Sequence, residues 1–230
     1  MKSGPLILAI ETATLAGSIA IARGAEIVRS GNGDPAVSHS NTLLADLDAL
    51  LKDSEVQLSE LNVFAVAVGP GSFTGLRIGI ATVKALATTL DRPCAAIPTL
   101  QAVALAGGPA ENSVALLPAG RGEVFAQLFA VTNGTVTPRD EPSHMAPKKL
   151  VDKYGSSENV LWCGEGALAQ RELIENAGAG KNWRIASQTR NLAEHVAALA
   201  LRKVQSDQLV APDTLQAIYV RPSDAELKVS

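Results

Sequence analysis

Gly69-Pro-Gly-Ser-Phe-Thr-Gly-Leu-Arg-Ile-Gly79 is the stretch whose residue types and spacing come nearest to a chemical site. It follows the apolar run Val63 to Val68, so a buried strand ends at a glycine-rich corner and a helix begins. Helix starts of this kind can hold phosphate. A P-loop, however, needs a glycine, four residues and then Gly-Lys-Ser/Thr, and here Gly75 is followed by Leu76 and Arg77. The dinucleotide pattern fails as well, because three residues instead of two separate Gly71 from Gly75. Two readings remain: glycines that permit a sharp turn and close helix packing, or phosphate contact through free amides at the helix start. The missing lysine favours packing.

Other chemistry is sparse. His39, His144 and His195 are far apart, and none has a His or Cys partner at metal-ligand spacing. His39 caps or precedes a helix, and His195 reads as a helix-surface residue. No G-x-S-x-G elbow occurs. Cys94 and Cys163 each lie in an apolar, strand-like run and read as buried reduced thiols. The net charge of −3 and 3% aromatic content give the chain little with which to grip or stack nucleic acid alone. The first apolar run, Leu6 to Ile10, is too short for a leader's core or a membrane span, so a cytoplasmic protein is expected.

The elements that position these residues come in a repeated order. Strands fit Leu6 to Ala13, Ser18 to Ala22 and Glu26 to Ser30. A helix from Ser40 to Lys52 carries Leu43, Leu44, Leu47, Leu50 and Leu51 as a stripe. The strand Val63 to Val68 and a helix from Ser72 to Leu90 follow, then a strand Pro93 to Ile97 and a helix Thr99 to Ala106. The second half repeats this pattern. Strands fit Val114 to Leu117, Glu123 to Val131 and Thr135 to Thr137, with Asn133-Gly134 as a two-residue turn. A helix Pro147 to Lys153, a strand Val160 to Cys163 and a helix from Gly164-Glu165-Gly166 to Ala177 come next. A strand Trp183 to Ala186 and a helix Leu192 to Gln205 complete it, and the charged tail Asp224 to Ser230 reads as a fraying end.

Three meandering strands and then helix, strand, helix, appearing twice, match the duplicated α/β architecture of the actin and sugar-kinase superfamily. The expected fold is therefore two actin-like, ribonuclease H-like lobes, 1–107 and 108–230, with mixed sheets flanked by helices. The last helix is allowed to pack back on the first lobe. In that superfamily the first hairpin of each half grips ATP. Here the first offers Glu11-Thr12-Ala13, and the second, Pro118-Ala119-Gly120-Arg121-Gly122, has no carboxylate before Glu123. Metal-bound ATP hydrolysis needs oxygen ligands and a group to position water. Glu11, Thr12, Gly120 and Arg121 thus outline a degenerate nucleotide cleft, and the sequence argues against independent ATPase activity. The helix after the corner is small or apolar over most of its circumference: it either packs only within the chain or joins an intermolecular helix bundle.

Assembled, these residues resemble the bacterial TsaB (YeaZ) family. The resemblance rests on Leu6-Ile-Leu-Ala-Ile-Glu-Thr-Ala, His39-Ser-x-x-Leu-Leu, the run from Ala67 to Gly79, Arg121-Gly-Glu-Val-Phe125 and Ile218-Tyr-Val-Arg221. It covers nearly the whole chain. It implies a non-catalytic subunit of the machinery that forms N6-threonylcarbamoyladenosine beside the anticodon of tRNAs reading codons that start with A. The implied partners are a catalytic TsaD-like subunit and a TsaE-like ATPase, with tRNA met only through the complex and no membrane involved. The implied cofactors are none for the chain by itself, and ATP or ADP only at an interface with partners. The family's catalytic paralogue carries two metal-binding histidines on the helix after the last first-half strand. Thr99 and Val103 stand there instead, and Val103 has no lone pair to donate. Two departures from TsaB habit, Glu11-Thr12-Ala13 for Asp-Thr-Ser and Pro118-Ala119-Gly120 for Asp-Ala-Arg, weaken nucleotide binding further.

The resemblance also implies docking through the helices Ser40 to Lys52 and Ser72 to Leu90. Leu43, Leu47, Phe73, Arg77, Ile80 and Lys84 are the candidate contacts, with self-pairing into a homodimer when the partner is absent. An Ile80→Glu change is then expected to abolish docking and leave the fold intact. Rival classes are a small kinase-like ATPase, an inactive metalloprotease-like protein and a free-standing tRNA-binding module.

Overall fold

The computed structural model describes residues 4–37, 39–187 and 191–220. Strands β1 (Leu6–Glu11), β2 (Ser18–Arg23) and β3 (Glu26–Asn32) form an antiparallel meander. On the other side of β1, β4 (Val63–Gly69) and β5 (Cys94–Pro98) add in parallel, giving the order β3-β2-β1-β4-β5. A second sheet repeats that scheme. It contains β6 (Ala110–Gly120), β7 (Glu123–Thr132), β8 (Thr135–Pro138), β9 (Ser143–Met145), β10 (Asn159–Cys163) and β11 (Asn182–Ile185). Its order is β11-β10-β6-β7-β8, with β10 and β11 parallel and the β6–β8 meander antiparallel. Asn133 and Gly134 both have positive φ, as a two-residue hairpin turn between β7 and β8 requires.

The helices are α1 (His39–Ser54), α2 (Phe73–Thr89), α3 (Thr99–Gly107), α4 (Lys148–Tyr154), α5 (Glu165–Ala169), α6 (Arg171–Ala177) and α7 (Leu192–Gln205). Contacts divide the chain into Met1–Thr99 with Arg190–Ile218, and Leu100–Thr189 with Tyr219–Ser230. Almost all of α3 therefore groups with the second sheet and α7 with the first, on the opposite side of the division from a simple cut at residue 107.

In the first unit every residue of β1 and β4 is buried, because helices cover both faces of the sheet. Leu6, Leu8 and Ile10 join Leu43, Leu47 and Leu50 of α1 and Ile80 and Val83 of α2 in one core. The alternate positions Ile7 and Ala9 face the other way, where α7 packs on β1 and β2 with Ala193, Val196, Ala197 and Ala200 buried. Small residues on α7 let its backbone approach the sheet. After α7 the chain returns along the open edge of β5. Cys94 and Val210 exchange two backbone hydrogen bonds of 2.8 Å, Leu215 is buried, and the Ile218 N–H donates to the Val68 carbonyl at 2.7 Å. An edge that would otherwise offer unpaired amides is thus closed.

In the second unit, Val114, Leu116, Val124, Leu150, Tyr154, Val160 and Trp162 form the core. Trp162 sits between Tyr154 and Trp183, with ring centroids 6.0 and 5.0 Å away. Two elements differ from the sequence reading. The helix expected to run to Ala177 is interrupted at Gln170, because α5 hugs β6 through Gly166 while α6 turns toward α4 and β11. A Cβ at Gly166 would sit 2.8 Å from the Leu116 carbonyl carbon. Strand β9 has no β-like pattern. It is held by β7 and by the Ser143 hydroxyl donating to the Ala126 carbonyl at 3.2 Å.

Cys94 and Cys163 are free and buried, one in each sheet. Burial pushes the Cys94 thiol up to about 11, opposed by the Lys84 charge, and the Cys163 thiol up to about 12, opposed by a hydrogen bond with Ser113. Both stay neutral at pH 8, so we expect a thiol reagent to label them at least ~100-fold more slowly in native protein than in denaturant. Comparable native and denatured rates in a timed colorimetric assay would contradict this burial.

Candidate functional site

The glycine corner is filled by the chain itself. Ser72 caps α2, its hydroxyl accepting from the Gly75 N–H at 3.2 Å, and the Ser72 N–H donates to the Ala13 carbonyl at 2.8 Å. The Thr12 hydroxyl donates to the Gly75 carbonyl at 2.8 Å. A Cβ at Gly71 would lie 2.6 Å from Ala13 Cβ; one at Gly75 would overlap the Thr12 carbonyl oxygen, and one at Gly79 the Thr12 hydroxyl. The glycines are there because α2 lies directly on the turn that ends β1, which is the packing reading of the motif.

Glu11, at that same turn, is 1% exposed. Its Oε1 accepts from the Thr14 N–H at 2.7 Å, and its Oε2 accepts from the Thr14 hydroxyl at 2.7 Å and the Ser18 hydroxyl at 3.4 Å. The Ser18 oxygen in turn accepts from the Ala193 N–H, in the first turn of α7, at 2.9 Å. A carboxylate that could have held a metal-bound phosphate is instead surrounded by donors of its own chain. Thr14 and Ser18 were visible in the sequence, but nothing local signalled that Ala193 would complete the set. Beside this turn lies a cleft of about 210 Å³ between α1 and the β2–β3 ribbon, bordered by Glu11, Thr12, Ser18, Arg29, Asp46 and Asp53. Arg29 and Asp53 form an exposed ion pair of 3.1 Å.

The hairpin between β6 and β7 has a different character. Gly120, Arg121 and Gly122 all take positive φ, and a Cβ at either glycine would meet nothing within 4 Å. Glu123, the first carboxylate after the hairpin, has its Oε2 2.8 Å from His144 Nε2, a contact that no local pattern of residues predicts. His195 is half-buried on α7, not on its surface, and burial holds its imidazole below the ordinary value. The side chain of His39, Arg221 and the tail Asp224 to Ser230 lie outside the described residues.

The Thr99 hydroxyl accepts from the Gly69 N–H at 3.0 Å, tying the first residue of α3 to the end of β4. Val103 is 4% exposed. Among the described residues no group of three or more His, Cys, Asp or Glu is placed to hold a metal ion, and no helix is long and apolar enough to cross a membrane.

Residues 35–214 match the family model described as TsaD, tRNA N6-adenosine threonylcarbamoyltransferase. The chain belongs to this family. Within it, the chain is of the TsaB (YeaZ) type. It is 27% identical to the tRNA threonylcarbamoyladenosine biosynthesis protein TsaB of Bacillus subtilis, over 96% of both chains. The structure of YeaZ from Pseudomonas aeruginosa superposes with a TM-score of 0.79 at 25% identity, covering 94% of this chain and 99% of that one. An ROK hexokinase from Thermus thermophilus, at 13% identity and a TM-score of 0.52 over 88% of this chain and 99% of that one, shares the fold alone. The two sheets of equal strand order are the duplicated actin-like fold.

The residues expected on a TsaB-type docking face divide in two. Leu43, Leu47 and Ile80 are 7%, 4% and 8% exposed and belong to the first unit's own core. Their side chains are turned into that core and present almost no surface. An Ile80→Glu change would bury a charge in that core and disturb the fold, contrary to expectation. Phe73, Arg77 and Lys84 do reach the surface. The Arg77 guanidinium lies 3.9 Å from the Phe73 ring centroid, and the Lys84 ammonium donates to the Asp213 carbonyl at 3.2 Å. Leu44, 69% exposed, is the leucine of α1 that points outward.

Gly75→Ala tests the corner. Helix propensity alone would stabilise α2 by ~1 kcal/mol, but overlap with the Thr12 backbone should leave a net loss of about 1–3 kcal/mol in urea unfolding. An unchanged or raised midpoint would mean that α2 does not rest on that turn.

Proposed function

We propose that this chain is a non-catalytic subunit that supports a TsaD-type catalytic subunit in forming N6-threonylcarbamoyladenosine on tRNA, in the cytoplasm. The observation that carries the reading is a family match spanning residues 35–214 in a chain whose Val103 has no metal-donating atom where the resemblance to the catalytic paralogue puts a ligand. The Bacillus subtilis relative bears the name of a biosynthesis protein for this modification. A kinase-like ATPase is opposed by the same chemistry: Glu11 is enclosed by its own loop, and the β6–β7 hairpin carries no carboxylate.

Docking in this proposal uses the outward faces of α1 and α2, which are neighbours. From α1 come Leu44, Asp48 and Lys52, and from α2 Thr74, Arg77, Ala81 and Ala85. Alanines let a second helix approach closely, so a bundle with the equivalent helices of a TsaD-like subunit fits this face. Helix α2 carries Arg77 and Lys84 and no acid, so the partner helix set against it is expected to present carboxylates. A TsaE-like ATPase would join the assembled pair, and any ATP or ADP would sit at an interface completed by partners.

The test is tRNA threonylcarbamoylation in a reconstituted mixture of cognate TsaD, TsaE and threonylcarbamoyl donor. Modification should require this chain, and the chain alone should turn over no ATP. Full modification in its absence would sink the proposal. Arg77→Glu should weaken capture of TsaD by ~10-fold or more while costing no more than about 1 kcal/mol of stability, the size of an exposed cation–π contact. Unimpaired capture by that variant would move the docking face elsewhere.

A further inference from the structure

We propose that Glu11 is a built-in anion, occupying an oxyanion seat at the end of β1 and thereby closing the first hairpin to external phosphate or carboxylate. The inference is independent of which partner the chain docks on. It rests on the arrangement of donors. The Thr14 N–H, the Thr14 hydroxyl and the Ser18 hydroxyl converge on the two carboxylate oxygens at 2.7, 2.7 and 3.4 Å. A carboxylate accepts only, so a group that offers donors to both oxygens is built for an anion.

The donors are themselves held in place. The Thr14 oxygen accepts from the Gly17 N–H at 3.3 Å, and the Gly17 carbonyl accepts from the Gly33 N–H at 3.2 Å. The Ser18 oxygen accepts from the Ala193 N–H at 2.9 Å, which turns its hydroxyl hydrogen toward Glu11. Asn191 caps α7 through the Glu194 N–H at 3.2 Å and donates to the Gly31 carbonyl at 2.8 Å, while the Ser30 hydroxyl donates to Glu194 at 2.6 Å. The positive end of a fourteen-residue helix is therefore clamped against the meander at the level of the carboxylate.

Burial of Glu11 to 1% exposure follows from this seat, since a buried anion is tolerated only where donors and a dipole replace its water. The same seat explains why a carboxylate at this hairpin does not make a nucleotide site. Its oxygens face Thr14 and Ser18, and an incoming phosphate would have to displace the covalently tethered anion. The cleft of about 210 Å³ bordered by Glu11 and Ser18 gives a small solute a route to the seat once the side chain is shortened.

Glu11→Ala removes an acetate-sized piece of the side chain, so acetate is the probe. Thermal unfolding of the full-length wild type and of Glu11→Ala is compared in sodium acetate and in sodium chloride at matched concentration. The variant should unfold at a lower temperature in chloride, and acetate should raise its midpoint by about 3–5 °C at tenfold excess over its dissociation constant while leaving the wild type within about 1 °C. Adding Ser18→Ala to the variant should reduce that rise. A folded Glu11→Ala protein that responds to acetate no more than the wild type overturns the proposal, as does a rise that is indifferent to Ser18. Should Glu11→Ala fail to fold in chloride, refolding is scored across an acetate titration: recovery supports the seat, and failure at every concentration overturns it.

Discussion

Helix α2 lies so close to the turn after β1 that its positions 75 and 79 have no room for a Cβ. Gly71, Gly75 and Gly79 bring its backbone against Ala13 and Thr12, and the Thr12 hydroxyl then reaches the Gly75 carbonyl. Much of the first unit depends on this approach. It fixes the height of α2 over β1 and β4, and with it the inward direction of Ile80 and Val83. It also turns Arg77, Ala81 and Ala85 outward. Larger residues would lift the helix and open the core beneath it, where lost packing is felt methylene by methylene.

Glu11 lies at the same turn, 1% exposed. Its carboxylate ties three parts of the chain together: the loop through Thr14, strand β2 through Ser18, and α7 through the amide that Ser18 accepts. Such a network rigidifies when every member is satisfied. At the tip of the β6–β7 hairpin three successive residues take positive φ, with open space at the two glycines. The strand order is the same in both halves, while the residues at the two hairpins differ.

Element types were largely legible because they follow from local periodicity. The continuous apolar runs of β1 and β4 announce strands buried on both faces, and the Asn133-Gly134 pair announces a hairpin turn. Interruption of the helix at Gln170 was not legible: no proline or glycine marks it, and it arises where α5 and α6 pack on different strands. Strand β9 was hidden for a related reason, since Ser-His-Met has no alternation and acquires its conformation from β7.

By itself the sequence determined most of the strand and helix order, its duplication, the glycine corner and the absence of a metal-donating atom at Val103. These are properties of residue type and near-neighbour spacing. Only the tertiary structure decided which leucines of α1 face the core, since an inward Leu43 and an outward Leu44 differ by one helical step of about 100°. It likewise decided that Glu11 is enclosed by Ser18 and indirectly by Ala193, more than 170 residues away. The grouping of α3 and α7 with the two sheets belongs to the same class. Each of these depends on where distant parts of the chain return, and close packing across those returns is set by three-dimensional fit, which no local pattern of residues encodes.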